Sequence, residues 1–439
     1  MTPSLAHLPH CGHPPILADL RFLRDTLGFL RGVHERRGPV TRIFVFGRTQ
    51  LLALGAEANE RTLFDRDDAF SAAGGWTPLL GELFPGGLIL RDGADHRRHR
   101  RLMLPAFRRE RLDQHRLQMQ PIIDTAIDDW LQRGHVEFHG CVKRLTLDIG
   151  ARLFLGMRLQ REIDTVARDF IDLVQASAAM VRYPLPGGAY RRGLQARSRL
   201  ARYLSEQIGA RRAGDGDDLF SQLCRELDED GRPYTDAEVV DHMVFVLMAA
   251  HDTTTSALAT VVMALGEQPD WQQRNSDDDG ANILREALRL YPPLPTIARM
   301  ATREVELHGC GIPAGTRLIV APLFVQRDPQ WWNEPDRFDP DRFSPSRAEH
   351  RRHAAAWTPF GGGAHMCVGM NFAEMQVQAV LQSLRERARW TVAPGFRNDY
   401  AYLPIGRPRG GLPVRFETHR VRAHRQHGMT AQSASPAHW

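Results

Sequence analysis

Apolar residues recur along this chain with two periods, and the switches between them mark out its elements. Residues 42–46 and 51–54 are short β-favouring runs parted by Gly47 and polar residues, which predicts a hairpin and a small sheet opening the fold. From about residue 110 to 270 the spacing is helical. It is broken at Tyr183-Pro184-Leu185-Pro186-Gly187-Gly188 and at the acidic Ala213-Gly214-Asp215-Gly216-Asp217-Asp218. Beyond Pro292-Pro293, β-like runs return at residues 304–307 and 316–322. A Pro- and Trp-rich segment comes next, and then a helical pattern carried by Phe372, Met375, Ala379 and Val380.

One helix is specified with particular clarity. In Thr235-Asp236-Ala237-Glu238, the Thr hydroxyl and the Glu carboxylate three residues on can satisfy each other's free backbone amides. The pattern then runs through Val239, Val240, Val244, Phe245, Leu247 and Met248 to Met263 or beyond without a proline. Apolar residues nearly all round predict burial on every side. At its midpoint Ala249-Ala250-His251-Asp252-Thr253-Thr254-Thr255-Ser256 interrupts the apolar run. Hydroxyls there compete for backbone hydrogen bonds, and a buried carboxylate is costly unless paired. Either the hydroxyls bond to carbonyls one turn earlier and Asp252 reaches an arginine, or an acid and an alcohol have been set beside a space that two alanines leave open.

The 439 residues, 25% charged and 42% hydrophobic, are those of an ordinary globular chain that forms one large α-rich domain over residues 1–418. Residues 419–439 are polar, lack periodicity, and read as a loose tail. The net charge of +5 comes from local stretches such as His96-Arg97-Arg98-His99-Arg100-Arg101 and Arg108-Arg109, so it does not imply nucleic-acid binding. Five cysteines, Cys11, Cys141, Cys224, Cys310 and Cys367, show neither zinc-site nor disulfide spacing. With no leader pattern at the N-terminus, and with its longest apolar run at residues 243–250, the chain is expected to be cytoplasmic, soluble and without a membrane anchor.

The candidate chemistry centres on Phe360-Gly361-Gly362-Gly363-Ala364-His365-Met366-Cys367-Val368-Gly369, where a glycine-rich loop runs into a helix. Amides and the positive end of the helix dipole favour a thiolate at Cys367, and the glycines let the backbone approach a flat ligand. A thiolate is an established axial ligand for haem, and its electron donation favours O–O cleavage.

Phe360, Gly363, His365, Cys367 and Gly369 fill the fixed positions of Phe-x-x-Gly-x-(Arg or His)-x-Cys-x-Gly, so the segment resembles the haem-binding signature of the cytochrome P450 family. The resemblance spans nearly the whole chain, to Arg409-Gly410-Gly411-Leu412-Pro413-Val414-Arg415-Phe416 near its end, and is that of a soluble bacterial-type member. It implies a mainly α fold with small β-sheets, a triangular prism holding haem b between the central helix and the cysteine helix, with Cys367 on the iron. Ala249 and Ala250 would leave room over the haem, and Asp252 and Thr253 would relay protons for oxygen activation. His96 and Arg100, matching (Trp or His)-x-x-x-Arg, would bind propionates together with Arg299 and His365. Glu286 and Arg289 match Glu-x-x-Arg and would join Arg342 of Pro340-Asp341-Arg342-Phe343 in a network bracing the cysteine loop. Arg337, in the near copy Pro335-Asp336-Arg337-Phe338, is the alternative.

The implied activity is a monooxygenase that inserts one atom of O2 into a lipophilic small molecule such as a terpenoid, fatty acid or polyketide. An acidic ferredoxin with its reductase, or a flavodoxin, would supply electrons to a surface made positive by Arg97, Arg98, Arg101, Arg108 and Arg109. Two alternatives remain open from sequence: a peroxide-driven or radical-coupling variant on the same fold, and a non-enzymatic haem gas or redox sensor. Pocket-lining residues are expected in loops at Gly74-Gly75-Trp76-Thr77-Pro78-Leu79-Leu80, at Leu83-Phe84, and around Ala179-Met180-Val181-Arg182-Tyr183.

Overall fold

The computed structural model describes residues 4–158, 160–179, 181–274 and 277–419. The predicted tail beyond residue 419 and Met180 lie outside the described residues.

Two helices, Pro15–Arg24 and Thr26–Arg37, precede the predicted hairpin, so the fold does not open on a sheet. Asp25 caps the second by accepting from the Gly28 amide, a local signal that the sequence reading passed over. The hairpin pairs Val40–Val45 with Arg48–Ala53, with Val40 opposite Ala53. It belongs to a five-stranded sheet that continues, in spatial order, through Arg317–Val320, Ile297–Ala301 and Phe70–Ser71. Arg48–Ala53 and Arg317–Val320 run parallel, and the other pairings are antiparallel. A second sheet orders His135–Glu137, Pro413–Thr418 and Ala388–Val392.

The helical middle is as periodicity predicts: Phe138–Leu155 and Ala189–Ser205 pack on the central helix Asp236–Glu267, Arg109–Arg133 packs on the first of these and Gln160–Ser177 on the second. Both capping-box bonds are present: Glu238 N–H donates to Thr235 Oγ1 at 3.3 Å, and Thr235 N–H donates to Glu238 Oε2 at 2.8 Å. The central helix is long and apolar enough to cross a bilayer by length and composition, but its apolar sides, Met243, Leu258, Val261 and Met263 among them, are buried in the core. The helix Met370–Arg387 follows the cysteine loop and contributes Phe372, Val377, Val380 and Leu384 to the same core.

Candidate active site

Backbone hydrogen bonds set the cysteine loop. Cys367 N–H donates to the Phe360 carbonyl at 3.0 Å, and Gly361 N–H donates to the Thr358 carbonyl at 3.0 Å. Gly363 has φ +60°, and a Cβ there would lie 2.6 Å from the Leu63 carbonyl oxygen and 2.7 Å from that of Phe64. Glycine is thus required both by backbone conformation and by the close passage of the helix Ala56–Phe64. Gly369 caps the helix that follows, and its amide bonds the Cys367 sulfur.

Cys367 is solvent-accessible, whereas Gly362 just before it in the loop and Phe372 just after it on the helix are buried. Its thiol is nevertheless pushed up mainly by burial, against the Gly369 amide and the Arg100 charge. The two properties coexist because the side chain lines a recess walled by protein. The expectation that the helix N-terminus alone would favour the thiolate is therefore corrected: desolvation outweighs one amide and one cation, and a positive ion on the sulfur would be needed to reverse the balance.

Basic residues converge beside the loop. The helix Gly93–Met103 carries His96 and Arg100 one turn apart. Arg100 NH1 donates to the Met366 carbonyl at 2.7 Å, and the His96 ring stacks on His365 with centroids 3.9 Å apart. Burial, then the charges of His365 and Arg100, lower His96 to about 3, so it is a neutral hydrogen-bonding group. His365 Nε2 lies 3.6 Å from Asp92 Oδ1. Burial would raise Asp92, but bonds from His365, Ser71 and the Ala72 amide outweigh it and hold the carboxyl at about 2.

Arg299 lies on the strand Ile297–Ala301, is only 4% exposed, and donates to the carbonyl of Ala298. Burial lowers it to about 10. Among the described residues no carboxylate stands within ion-pair distance of it. A buried guanidinium in that position fits an anionic group brought by a ligand, and the donor set of one accessible thiol with Arg100, Arg299 and two histidines fits an iron porphyrin with two propionates.

Glu286 and Arg289, on the helix Asp277–Leu290, form a bidentate pair: Nε to Oε2 at 2.6 Å and NH2 to Oε1 at 2.8 Å. Arg342 Nε donates to Glu286 Oε1 at 3.0 Å, while the Arg337 side chain points outward to Glu334 and only its carbonyl enters the cluster. Arg342 also reaches Glu349, a buried carboxylate that sequence reading missed because no motif marks it. Gln326 ties this cluster to the loop by donating to the Arg289 carbonyl and accepting from the Thr358 amide at 3.1 Å.

At the midpoint of the central helix, Met248, Ala249, Ala250, Asp252 and Thr253 are only partly buried, in contrast to the buried stretch from Thr254 to Gly266. Thr253 Oγ1 donates to the Ala249 carbonyl at 2.6 Å, the back-bond one turn earlier that the hydroxyl pattern allows. Among the described residues Asp252 meets no arginine. Its Oδ1 lies 2.9 Å from His251 Nδ1 and 3.6 Å from Lys143 Nζ. Burial would raise its carboxyl, but His251, Lys143 and His139 together bring it below the ordinary value.

Other expectations need correction. Gly74 to Leu80 form not a loop but the helix Ala72–Leu80, capped by Ser71. Its Gly75 packs so closely on the backbone of Ala298 and Arg299 that a Cβ would come within 2.6 Å. Leu83 and Phe84 belong to the core, and Val181 and Tyr183 are exposed. The basic surface is partly neutralised, since Arg98 pairs with Asp228 and Glu238, and Arg101 pairs with Glu229.

An accessible thiol at a helix entrance, ringed by basic residues and braced by a buried Glu–Arg–Arg cluster, defines a haem-thiolate class of site. The family model described as cytochrome P450 matches residues 14–277 and 281–400, and the chain belongs to the cytochrome P450 family. It is 35% identical to a putative cytochrome P450 136 of Mycobacterium tuberculosis, over 93% of this chain and 87% of that protein. It is 31% identical to abscisic acid 8'-hydroxylase 2 of Oryza sativa subsp. indica, over 89% of this chain and 82% of that one. A solved structure of cyanobacterial CYP120A1 with retinoic acid bound superposes with a TM-score of 0.85 at 26% identity, covering 94% of this chain and 99% of the other. The fold is that of the family, mainly α with small sheets, and the chain is a haem-dependent monooxygenase that uses O2 and a redox partner.

Proposed function

We propose that this chain hydroxylates or epoxidises a lipophilic small molecule in the cytoplasm, with haem b held by Cys367 and electrons from an acidic ferredoxin with its reductase or from a flavodoxin. The observation that carries the reading is Arg299, a buried cation that among the described residues has no carboxylate within ion-pair distance, close enough to His96 for its charge to act there beside His365 and Arg100. When bound, the haem supplies the redox chemistry that lets dioxygen be cleaved with two electrons and two protons.

The chain's own residues do the rest. Arg100, Arg299 and His365 take the propionates, and neutral His96 adds a hydrogen bond without charge. Phe360, Gly363 and Gly369 shape the loop around the sulfur. Ala249 and Ala250 keep the middle of the central helix low. The Thr253 proton is engaged by the Ala249 carbonyl, which leaves the hydroxyl's lone pairs free to accept from the recess side. Asp252 stands next along the helix as the acid that replaces protons consumed there. Retinoic acid in the CYP120A1 structure and abscisic acid in the name of the rice relative support a small organic substrate.

Reduction of the haem-loaded protein under carbon monoxide tests the assignment. The strongly red-shifted Soret band of thiolate ligation is expected and should vanish in Cys367→Ala. An unshifted band in the wild-type protein would overturn it. Substrate classes can be screened by the spin-state change that follows displacement of water in the recess.

A further inference from the structure

His251 has a bonding pattern that an ordinary core histidine does not need. It is 3% exposed, and Phe170 meets its ring edge-on with centroids 5.3 Å apart. Nε2 lies 2.9 Å from the Lys143 carbonyl oxygen, and Nδ1 lies 2.9 Å from Asp252 Oδ1. A carbonyl oxygen only accepts, so Nε2 must carry a hydrogen. The proton in the other bond then sits either on Nδ1, giving imidazolium and carboxylate, or on Asp252, giving a neutral ring and a carboxylic acid. In both cases the pair holds one proton more than a neutral histidine beside a carboxylate. Lys143 Nζ stands 3.6 Å from the same Asp252 oxygen, with its side chain 34% exposed. The helix Phe138–Leu155 brings both Lys143 and His139 to face the carboxylate, while the helix Gln160–Ser177 presents the apolar Phe170 ring.

We propose that His251 is a positioning residue for proton delivery: it shares one stored proton with Asp252, which Asp252 releases toward Thr253 and Lys143 restores. The inference rests on the assignment of Asp252 and Thr253 to proton delivery. The transfer balances without any other reactant. The proton leaves the Nδ1···Oδ1 bond through the carboxyl, leaving a neutral ring whose bare Nδ1 faces a carboxylate. That repulsion draws a proton from the Lys143 ammonium, and the lysine regains one from water. Without His251 the carboxylate keeps its lysine partner but loses its store. Each turnover then waits on solvent.

Four variants and one spectroscopic measurement test this. His251→Phe removes both bonds while keeping a ring against Phe170. Lys143→Met removes the reloading group at a partly exposed site where folding tolerates the change. Both should lower product formed per electron consumed by about tenfold, raise peroxide release, and enlarge the solvent deuterium isotope effect. A purely structural histidine would change stability or haem content and leave the isotope effect alone, and that result would overturn the proposal. Independently of turnover, 15N-histidine spectra of the full chain, assigned by difference against His251→Gln, should show a ring whose Nδ1 and Nε2 are both hydrogen-bonded, with the Nδ1 proton shared. A ring with a bare, unshared Nδ1 would sink the proposal as well. Asp252→Asn separates the two levels. If it leaves coupling intact, the underlying assignment of Asp252 fails. If it uncouples while His251→Phe does not, only the role of His251 fails.

Discussion

Arg342 donates through Nε to Glu286 Oε1 at 3.0 Å, with both side chains fully buried, although 56 residues separate them in the chain. The same carboxylate already receives two bonds from Arg289. Breaking such a cluster from one side strands a charge in the core, so Arg342→Ala should destabilise the protein by about 3–5 kcal/mol. Arg337→Ala, which removes an exposed partner of Glu334, should cost no more than a few tenths of a kcal/mol. Urea denaturation of the two variants checks the contrast, and equal losses would show that the neighbouring arginine shares the bracing.

Gly363→Ala places a methyl group against two backbone carbonyls and forces a positive φ on an L-residue. Backbone cannot yield as a side-chain tip can. A loss of at least about 2 kcal/mol is expected, with a lower fraction of protein giving the thiolate carbon monoxide spectrum. Gly38→Ala is the control for strain without collision, since its φ is +85° and a Cβ there would meet nothing within 4 Å.

Thr253→Ala removes the hydroxyl and frees the Ala249 carbonyl while leaving helix propensity unharmed. Stability should change little. Coupling should fall by about tenfold, with the missing electrons recovered as peroxide, and unchanged coupling would remove Thr253 from the proton path.

A buried histidine pair makes stability depend on pH. His99 Nδ1 and His242 Nε2 are 2.7 Å apart, and burial, with His99 and Arg91 adding to it, drives His242 well below its ordinary value of 6.5. An unfolded chain takes up a proton at that site as pH falls, and the folded chain does not. The stabilisation is therefore fully present above about pH 6.5 and is lost progressively below it, by up to ~1.4 kcal/mol per pH unit for the one group. Unfolding free energies measured from neutral pH downward should show this slope, and His242→Leu should flatten it.

Local signals were the legible ones. Thr235 and Glu238 cap the central helix because their bonds span three residues, and the Phe360 to Gly369 loop announces itself because its glycines and cysteine are contiguous. What escaped was long-range or ambiguous in its local chemistry. The helix Ala72–Leu80 hides behind a Gly-Gly pair and a proline that normally mark a loop, and Asp92, far along the chain, helps hold its first turn. The strand Ile297–Ala301, which carries Arg299, is too short and too interrupted by arginine to show a period of two. Lys143 approaches Asp252 across 109 residues, and no spacing rule could choose it over the many arginines of the chain. The choice between Arg337 and Arg342 likewise depends on which copy of one short motif turns inward.

Gln326 has a consequence for affinity. It bonds the Arg289 carbonyl with one end of its amide and the Thr358 amide with the other, so the approach to the cysteine loop is fastened to the core by folding itself. The conformational entropy of ordering that approach belongs to the folding equilibrium, and the prosthetic group meets a receptor already in shape. Loosening Gln326 would slow no chemical step; it would move an entropic penalty from one equilibrium to the other and shorten the residence time of whatever Cys367 holds.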